Sequence, residues 1–415
     1  MNDQEFQEAL RKYARLVVRS GCNIQQGQEL LITANIETIE FTRLVVEEAY
    51  LAGAKRVTVR LGDEQLTRLG LEHVALEEYE KFPEWLALLH NGMAREGAAV
   101  LRIYSDDPLA LTGTDPMKLV ANQRAGNAAC KEYYDAMNHG RLAWCIVGAA
   151  SPAWATFVYP DLDAEAATAK LWQAIFTTVR VMSDDPIAAW QAHRESFQQR
   201  TEWLNEQHFD SLHYSNSLGT DLTLGLNDLG IWKGGGGVLV DGTFFFPNMP
   251  TEEIFTTPDR NRAEGIVYSS MPLAYNGNLI ENFSLKFENG RVTECRAEKG
   301  LDILQSIFAV DDAASSLGEC SLVPWTSPIR LSETLFYNTL YDENASCHLA
   351  VGTGFPDCLV GGTEMNDDEL KSHGVNKSAT HVDFMIGTAD MQIVGIQKDG
   401  TRIPIFVDGE WNEMI

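Results

Sequence analysis

Three consecutive segments near the start of the chain follow the pattern strand, helix, strand, and this restricts how the chain can fold. Residues 29–33 and 56–61 are predicted to form strands. Between them a helix is predicted to begin at Thr38 with one apolar stripe. Strands joined by a helix usually pair in parallel. Further apolar runs at 98–104 and 142–148 extend the pattern, so we predict an α/β fold whose largely parallel sheet is flanked by helices.

The second half of the chain has a different pattern. Residues 221–224 and 282–287 alternate between apolar and polar side chains, and an Asn-Gly pair typical of hairpin turns soon follows the second run. The length of 415 residues also exceeds that of a typical single core. We therefore predict an N-terminal α/β domain over residues 1–195 and a β-rich α+β C-terminal domain over residues 196–415.

The net charge argues against two classes of partner. The chain has 32 Lys and Arg against 59 Asp and Glu, which gives a formal charge of -27. Repulsion by phosphate groups disfavours binding to nucleic acid or to an anionic membrane. Such a charge suits a cationic ligand, for example a peptide with a protonated amino terminus, or it serves solubility alone.

Cysteine usage and hydropathy indicate the cellular setting. Seven cysteines, an odd number without C-x-x-C spacing, argue against a disulfide framework and against a Cys-type zinc site. The acidic N-terminal residues lack the apolar core of a signal peptide, and no apolar stretch has the length of a membrane span. We therefore expect a cytoplasmic protein without a membrane segment.

The most informative segment for function is a His-x-Asp pair near the C-terminus. In a strand, His381 and Asp383 project to one side while Val382 and Phe384 project to the other. The pair offers one imidazole nitrogen and one carboxylate to a common cation. A partly buried His beside an Asp is also compatible with a hydrogen-bonded structural pair.

Three segments upstream supply further candidate ligands. They are the run containing Glu252 and Glu253, the run Leu-Gly-Glu319-Cys, and the run Asn-Ala-Ser-Cys-His348. Each places an ionisable side chain among apolar or small residues, where an unpaired charge is costly. Two histidines and three carboxylates of this kind suit a pair of divalent cations.

The sequence resembles a known family in four blocks. The run NMPTEEIFTTPDR, then LGE, YDENASCHLA and HVDFMIG, is similar to the metal-dependent aminopeptidases that include aminopeptidase T and aminopeptidase S, and the blocks occur in the family's order. The resemblance extends over essentially the whole chain. It implies the metal ligands Glu253, Glu319, His348, His381 and Asp383, and it puts the metal site in the C-terminal domain.

The resemblance also implies properties beyond the ligands. Members of this family are cytoplasmic exopeptidases that remove N-terminal residues, and they form dimers with an enclosed site that restricts substrates to short peptides. The chain departs from the family at Phe355, seven residues after His348, where a tyrosine is common. A phenyl ring neither ligates a metal nor donates a proton.

The ligand set restricts the cofactor. Glutamate, aspartate and histidine without a thiolate suit zinc, cobalt or manganese. Five ligands are too many for one tetrahedral catalytic ion that keeps an open position. Two divalent ions bridged by a carboxylate and a water would use them all and would activate that water for peptide hydrolysis. Cys320 and Cys347, next to two of the ligands, are expected to point away from the ions if their segments are extended.

Four glutamates are assigned roles at the predicted centre. Glu319 and Glu253 are predicted to serve catalysis as well as ligation. Glu343 and Glu252 are candidates for binding the substrate's ammonium group or for acting as a general base. For these last two, a solvated charge or a hydrogen bond to a ligand remains an equal alternative.

Two other functions are compatible with the same residues. One is a metal-dependent hydrolase of a different amide or ester. The other is a non-catalytic metal- or peptide-binding protein, for which Phe355 is the one supporting feature. The sequence contains neither a G-x-S-x-G elbow nor an H-E-x-x-H helix, which excludes the commonest other hydrolase schemes.

Overall fold

The computed structural model describes residues 1–275 and 278–413. By the contacts between residues, the chain divides into two compact units. The first consists of Met1–Ala192 with Gly236–Pro250, and the second of His193–Gly235 with Thr251–Ile415. The predicted domain boundary between residues 195 and 196 remains a prediction. The contact-based division differs from it in assigning residues 236–250 to the first unit.

Helices and parallel strands make up the regular structure of the first 207 residues, with one to three helices after each strand. A π-helical turn at Val17–Gly21 and a 3-10 turn at Ile36–Thr38 interrupt the regular elements. Those elements are α1 (Asp3–Leu16), β1 (Glu29–Asn35), α2 (Ile39–Ala52), β2 (Arg56–Gly62), α3 (Glu64–His73), α4 (Leu76–Tyr79), α5 (Glu84–Arg95), β3 (Ala99–Tyr104), α6 (Pro116–Ala129), α7 (Lys131–Asn138), β4 (Trp144–Gly148), α8 (Pro152–Val158), α9 (Ala164–Thr178) and α10 (Pro186–Gln207).

The remainder of the chain consists mainly of strands. It contains β5 (Ser211–Ser215), β6 (Asp221–Leu226), β7 (Lys233–Gly234), β8 (Gly237–Val238), β9 (Phe244–Phe245), β10 (Asn248–Met249), β11 (Ile254–Thr256), β12 (Pro258–Tyr268), β13 (Leu273–Tyr275), β14 (Asn278–Glu288), β15 (Arg291–Lys299), α11 (Leu301–Phe308), β16 (Leu317–Leu322), α12 (Pro328–Leu331), α13 (Thr339–Asp342), β17 (His348–Gly352), α14 (Asp367–Ser372), β18 (His381–Met385), β19 (Gln392–Ile396), β20 (Arg402–Val407) and β21 (Glu410–Trp411). In the described part of the chain, no helix is both long and apolar enough to cross a membrane.

The first unit is built on a five-stranded parallel sheet in the order β10-β4-β3-β1-β2. β1 pairs with β2 from Glu29 opposite Arg56 to Asn35 opposite Gly62, and α2 connects these two strands. The predicted strand-helix-strand unit is therefore confirmed. The short strand β10 pairs in parallel with β4, so the return of the chain at residues 236–250 adds the edge strand of this sheet.

Among its described residues, the second unit contains two antiparallel sheets. The smaller has the strand order β18-β17-β16-β11-β7. The larger runs β13-β14-β12-β6-β5-β19-β20-β21, with β15 paired to β14. The predicted fold class, an α/β region with a largely parallel sheet followed by a β-rich region, is confirmed by this mixed architecture.

One face of the smaller sheet is apolar and buried. Cys320, Leu349, Val351, Val382 and Phe384 alternate along β16, β17 and β18 and belong to one core cluster. Each is at most 6% exposed to solvent. Because strand residues alternate between faces, the residues between them lie on the opposite face. The hydrophobic core therefore fixes which side chains of these three strands remain available for chemistry.

Asn376 connects the ends of the strands in this sheet. Its fully buried amide nitrogen donates to the carbonyl oxygens of Gly352 at 2.6 Å, Ala313 at 2.8 Å and Ser316 at 3.2 Å. These carbonyls lie at the end of β17 and shortly before β16. One side chain thus connects three backbone carbonyls, of which those of Ala313 and Ser316 also accept from the backbone N–H groups of Ser316 and Gly352.

We expect Asn376→Ala to lower the free energy of unfolding by about 1–3 kcal/mol, because it removes the hydrogen bonds of a buried amide to three backbone carbonyls. Urea denaturation followed by circular dichroism measures this change. Asn261→Ala is the control, since Asn261 is exposed and bonded to Asp259, and we expect its effect to stay below about 0.5 kcal/mol. Equal stability of the two variants would contradict the role given to Asn376.

Candidate metal centre

The face of the smaller sheet opposite the core carries four of the five predicted ligands. Ala350 on β17 lies opposite Glu319 on β16 and opposite Asp383 on β18, so these carboxylates flank one small residue. His381 lies opposite Gly352, again a residue without bulk. The antiparallel register therefore brings acidic and imidazole groups from three strands together above small side chains.

The fifth predicted ligand comes from the segment that enters β11. Glu253 is the residue before this strand, and Phe255, two residues later, lies opposite Ser321 of β16. The hydroxyl of Ser321 donates to Oε2 of Glu253 at 3.1 Å. Ser321 in turn lies opposite His348. This contact orients the Glu253 carboxylate toward the histidine of the next strand.

The side chains form two groups that share Glu319. In the first, Nε2 of His348 is 3.3 Å from Oε2 of Glu253 and 3.8 Å from Oε1 of Glu319. In the second, Nε2 of His381 is 3.2 Å from Oε2 of Glu319 and 3.1 Å from Oδ1 of Asp383. Within each group the candidate ligand atoms lie within 4.8 Å of one another. The two oxygens of Glu319 thus face two different histidines.

Backbone carbonyls fix the orientation of both imidazoles. Nδ1 of His381 lies 2.8 Å from the carbonyl oxygen of Thr353, and Nδ1 of His348 lies 3.3 Å from that of Ser346. A proton on Nδ1 that is donated to a carbonyl leaves the lone pair of Nε2 directed at the carboxylates. Metal-bound histidines commonly have this arrangement. The lone pair and the carboxylate oxygens repel one another unless a proton or a metal cation lies between them.

The pKa values of the two histidines and of Glu319 show that positive charge on the imidazoles is favoured here. Burial by itself lowers the pKa of His381, but its contacts with Asp383 and Glu319 outweigh burial and raise the pKa to about 11. The pKa of His348 is likewise raised despite burial, by Glu253 and Glu319. Burial opposes ionisation of Glu319, yet the two histidines lower its pKa to about 2.

Two further carboxyl groups show the opposite shift. The pKa of Glu253 is raised by burial and by the charge of Glu319, although His348 partly offsets this. The pKa of Glu343 is raised well above its usual range by burial and by the negative charges of Glu253 and Asp383. Shifts in this direction are expected where carboxylates outnumber the available cations. The donor set therefore fits divalent metal ions, which would supply the missing positive charge.

Aromatic rings border the second group. The ring of Phe355 is 5.1 Å from the ring of His381 and 5.5 Å from that of Phe255, measured between ring centroids. Phe355 therefore lies beside a predicted ligand, as its position in the sequence suggested. It contributes an apolar surface there and no hydroxyl group.

The structure distinguishes the two glutamates predicted to contact substrate. Glu343 is half-buried and lines a small cleft together with Asp383. Glu252 is buried, and its carboxylate lies 3.6 Å from Nε2 of His193. Its backbone N–H donates to the side-chain oxygen of Asn344 at 2.7 Å. Neither Glu343 nor Glu252 belongs to the two ligand groups found among the described residues.

The two cysteines beside the ligands lie on the core side, as predicted. Cys320 and Cys347 both belong to the buried apolar cluster, and Sγ of Cys347 lies 3.2 Å from the carbonyl oxygen of Val323.

Two residues that contribute to the site, Ser321 and Asn344, were not predicted from the sequence. Strand alternation from Glu319 would have identified Ser321, whereas no local pattern marks Asn344, whose role depends on a distant segment.

A centre of clustered carboxylates and imidazoles, buried at the edge of a small cleft, is typical of metal-dependent hydrolases. Comparison with known proteins defines the family. Residues 6–411 match the family model described as "Thermophilic metalloprotease (M29)", and the chain belongs to this family.

Relatives in this family match along nearly the whole chain. Aminopeptidase AmpS of Bacillus subtilis (strain 168) is 44% identical over 406 residues, covering 98% of this chain and 99% of that protein. Aminopeptidase PepS of Streptococcus thermophilus is 40% identical over 407 residues, covering 98% of each. The solved structure of wild-type AmpT from Thermus thermophilus superimposes with a TM-score of 0.90 at 40% identity, covering 98% of this chain and 99% of that one.

These findings confirm the predicted family, the fold class and the class of enzyme, a metal-dependent aminopeptidase. Membership of a metalloprotease family also implies divalent metal cofactors, in agreement with the two ligand groups.

We expect metal binding at pH 7 to release protons. The raised pKa of His381 means that its imidazole is protonated at this pH when no metal is bound, and a ligating nitrogen must be deprotonated. Calorimetric titration with Zn²⁺ in buffers of different ionisation enthalpy measures the number of protons released. His381→Gln should reduce that number, whereas His213→Gln, which alters a histidine paired with Asp221, should not. Release unaffected by His381→Gln would contradict the assignment.

Proposed function

We propose that this metal-dependent aminopeptidase uses two divalent ions to hydrolyse the N-terminal peptide bond of short peptides. Glu253, Glu319 and His348 would hold one ion, and Glu319, His381 and Asp383 the other. The position of Glu319 carries the proposal, because its two oxygens face the Nε2 atoms of different histidines. A carboxylate in this position is suited to bridge two cations.

The chemistry of the ligands indicates which ions fit. Carboxylate oxygens and imidazole nitrogens, with both neighbouring thiols in the core, favour zinc, cobalt or manganese. When bound, such ions lower the pKa of a coordinated water and stabilise the negative charge that develops on the substrate's carbonyl oxygen. These two effects are what hydrolysis of a peptide bond requires.

The chain's own residues hold and orient the reacting groups. Ser321 directs the carboxylate of Glu253, and the carbonyls of Ser346 and Thr353 keep Nε2 of each histidine directed at the centre. Phe355, next to His381, presents an apolar ring on that side. The groups are thereby oriented before substrate binds, which reduces the reorganisation that the reaction needs.

An aminopeptidase must also recognise the free amino terminus. We assign this role to Glu343, because it lines a cleft together with Asp383, and an ammonium group there would contact both carboxyl groups and favour ionisation of Glu343. To Glu252 we assign the positioning of the neighbouring ligand Glu253. The backbone N–H of Glu252 donates to the side-chain oxygen of Asn344, and the amide nitrogen of Asn344 also lies 3.5 Å from Oε1 of Glu343. The earlier alternative for Glu252, direct contact with substrate, would require its carboxylate to leave the vicinity of His193.

We further propose a cytoplasmic location and a homodimeric assembly, on the ground of the family resemblance. The relatives named above are aminopeptidases, and a shared family supports a shared use of peptide substrates.

A second candidate function is a non-catalytic peptide-binding protein. Phe355 favours it, since the phenyl ring beside His381 brings no hydroxyl group.

We expect metal-dependent release of p-nitroaniline from aminoacyl p-nitroanilides. The protein is treated with a chelator and assayed, and zinc, cobalt or manganese is then added back. Activity should return with at least one ion and should be absent for N-acetylated substrates, because the site recognises a free amino group. Absence of turnover with every ion, together with retained metal binding, would favour the non-catalytic function.

We expect Glu319→Gln to lose both ions and Asp383→Asn to lose only one, since Glu319 alone belongs to both groups. Elemental analysis of protein purified with excess zinc measures the stoichiometry, and the p-nitroanilide assay measures activity. Activity of Glu319→Gln should fall by about 10²-fold or more, because loss of a single electrostatic contact to the reacting groups already has about this effect. Equal metal content in the two variants would contradict a bridging role. Circular dichroism checks that both remain folded.

A further inference from the structure

A small cleft borders the metal centre along β18. It has a volume of about 50 Å³ and includes Asp383 and Glu343 on its polar side. Ala274 of β13 and Met385 of β18 are apolar residues of its lining, whereas the side chain of Leu273, which also borders the cleft, packs in the core. Met385 follows Asp383 by two residues and therefore projects from the same face of the strand. A peptide whose amino terminus lies at Asp383 and Glu343 would direct its first side chain along this apolar surface.

Tyr337 lines the same cleft in an unusual backbone conformation. Its φ angle is 53°, in the left-handed region that residues other than glycine, asparagine and aspartate seldom adopt. Bulky residues in this region are strained, and such strain persists only where the surroundings impose it. The conformation of Tyr337 therefore requires a structural cause.

A buried carboxylate supplies that cause. Oδ1 of Asp342 accepts from the backbone N–H of Phe336 at 2.8 Å, and Oδ2 accepts from that of Asn338 at 2.9 Å. The N–H groups on both sides of Tyr337 are thus bound to one side chain. Phe336 is also stacked on Tyr341, with ring centroids 4.4 Å apart and planes at 18°. These contacts hold the backbone in place on both sides of Tyr337 and keep Tyr337 at the cleft.

We propose that this cleft receives the side chain of the substrate's N-terminal residue, and that Tyr337 forms the wall that limits its size. The inference rests on the proposed aminopeptidase function. The apolar side and the small volume favour short aliphatic residues, alanine and valine, over leucine and over the aromatic residues. In this assignment Tyr337 is a specificity residue, and Asp342 is a positioning residue that acts through it.

The test compares two substitutions of Tyr337. One removes the whole side chain, and the other removes only its hydroxyl group. Tyr337→Gly removes the wall and also suits the backbone, because glycine adopts positive φ without strain. Tyr337→Phe retains the wall and removes only the hydroxyl. Metal-loaded variants are assayed with alanyl, valyl, leucyl and phenylalanyl p-nitroanilides, and the readout is the ratio of kcat/KM values within each variant.

We expect the natural protein to favour the alanyl and valyl substrates. Tyr337→Gly should raise the phenylalanyl-to-alanyl ratio by about tenfold or more, a size typical for the gain or loss of hydrophobic pocket volume. Tyr337→Phe should leave that ratio within about twofold. Tyr50→Ala is the control for an exposed tyrosine in the first unit, and it should leave the ratio unchanged.

The outcomes separate this inference from the proposed function. Absence of turnover by the natural protein with every metal would overturn the proposed function itself. Turnover by the natural protein with an unchanged ratio in Tyr337→Gly, or an initial preference for phenylalanyl, would overturn the wall assignment alone. If Tyr337→Gly does not fold, Tyr337→Asn provides the same comparison, because asparagine also tolerates this conformation.

Discussion

The central interaction of this structure is the sharing of Glu319 between two histidines. Its carboxylate oxygens lie 3.8 Å from Nε2 of His348 and 3.2 Å from Nε2 of His381. Removal of this one side chain would separate the two ligand groups and leave each with a single carboxylate. Burial and the negative charge of neighbouring carboxylates raise the pKa values of Glu253 and Glu343, whereas the two histidines lower that of Glu319. The carboxyl groups here outnumber the two histidines. Metal ions would remove that imbalance.

The same sheet serves stability on one face and chemistry on the other. Leu349 and Phe384 pack in the core, whereas their neighbours His348 and Asp383 face the metal centre. Burial of apolar side chains on one face provides the free energy that holds these strands together. The other face can therefore carry carboxylates and imidazoles, although bringing such groups together in a buried site is unfavourable. Small residues at Ala350 and Gly352 give the ligands room. The rigid core face provides the fixed geometry that a pre-organised centre requires.

The elements that the sequence predicted well are those governed by local periodicity. Alternation within one strand was enough to put His381 and Asp383 on one side, and the strand-helix-strand pattern was enough to predict parallel pairing of β1 with β2. The joining of four separate ligand segments into one centre came from the family resemblance, because no local pattern reports distances between segments.

Other features depend on contacts between remote segments, which periodicity does not encode. Strand β10 has two residues and joins the first sheet from residues 248–249, far from its partner β4. Asn344 bonds to Glu252, which is 92 residues earlier in the chain. The left-handed conformation of Tyr337 follows from hydrogen bonds to a carboxylate five residues later, and its own residue type argues against that conformation.

The alternation along β16, β17 and β18 has a consequence for how the protein matures. A shift of pairing by one residue would turn every side chain of the shifted strand to the opposite face. In β17 it would replace His348 with Leu349 at the centre, and in β18 it would replace Asp383 with Phe384. A misregistered chain would therefore lose its hold on the cation together with its core packing. Metal binding would therefore require the correct register of all three strands. It would stabilise the correctly aligned molecules relative to the misaligned ones.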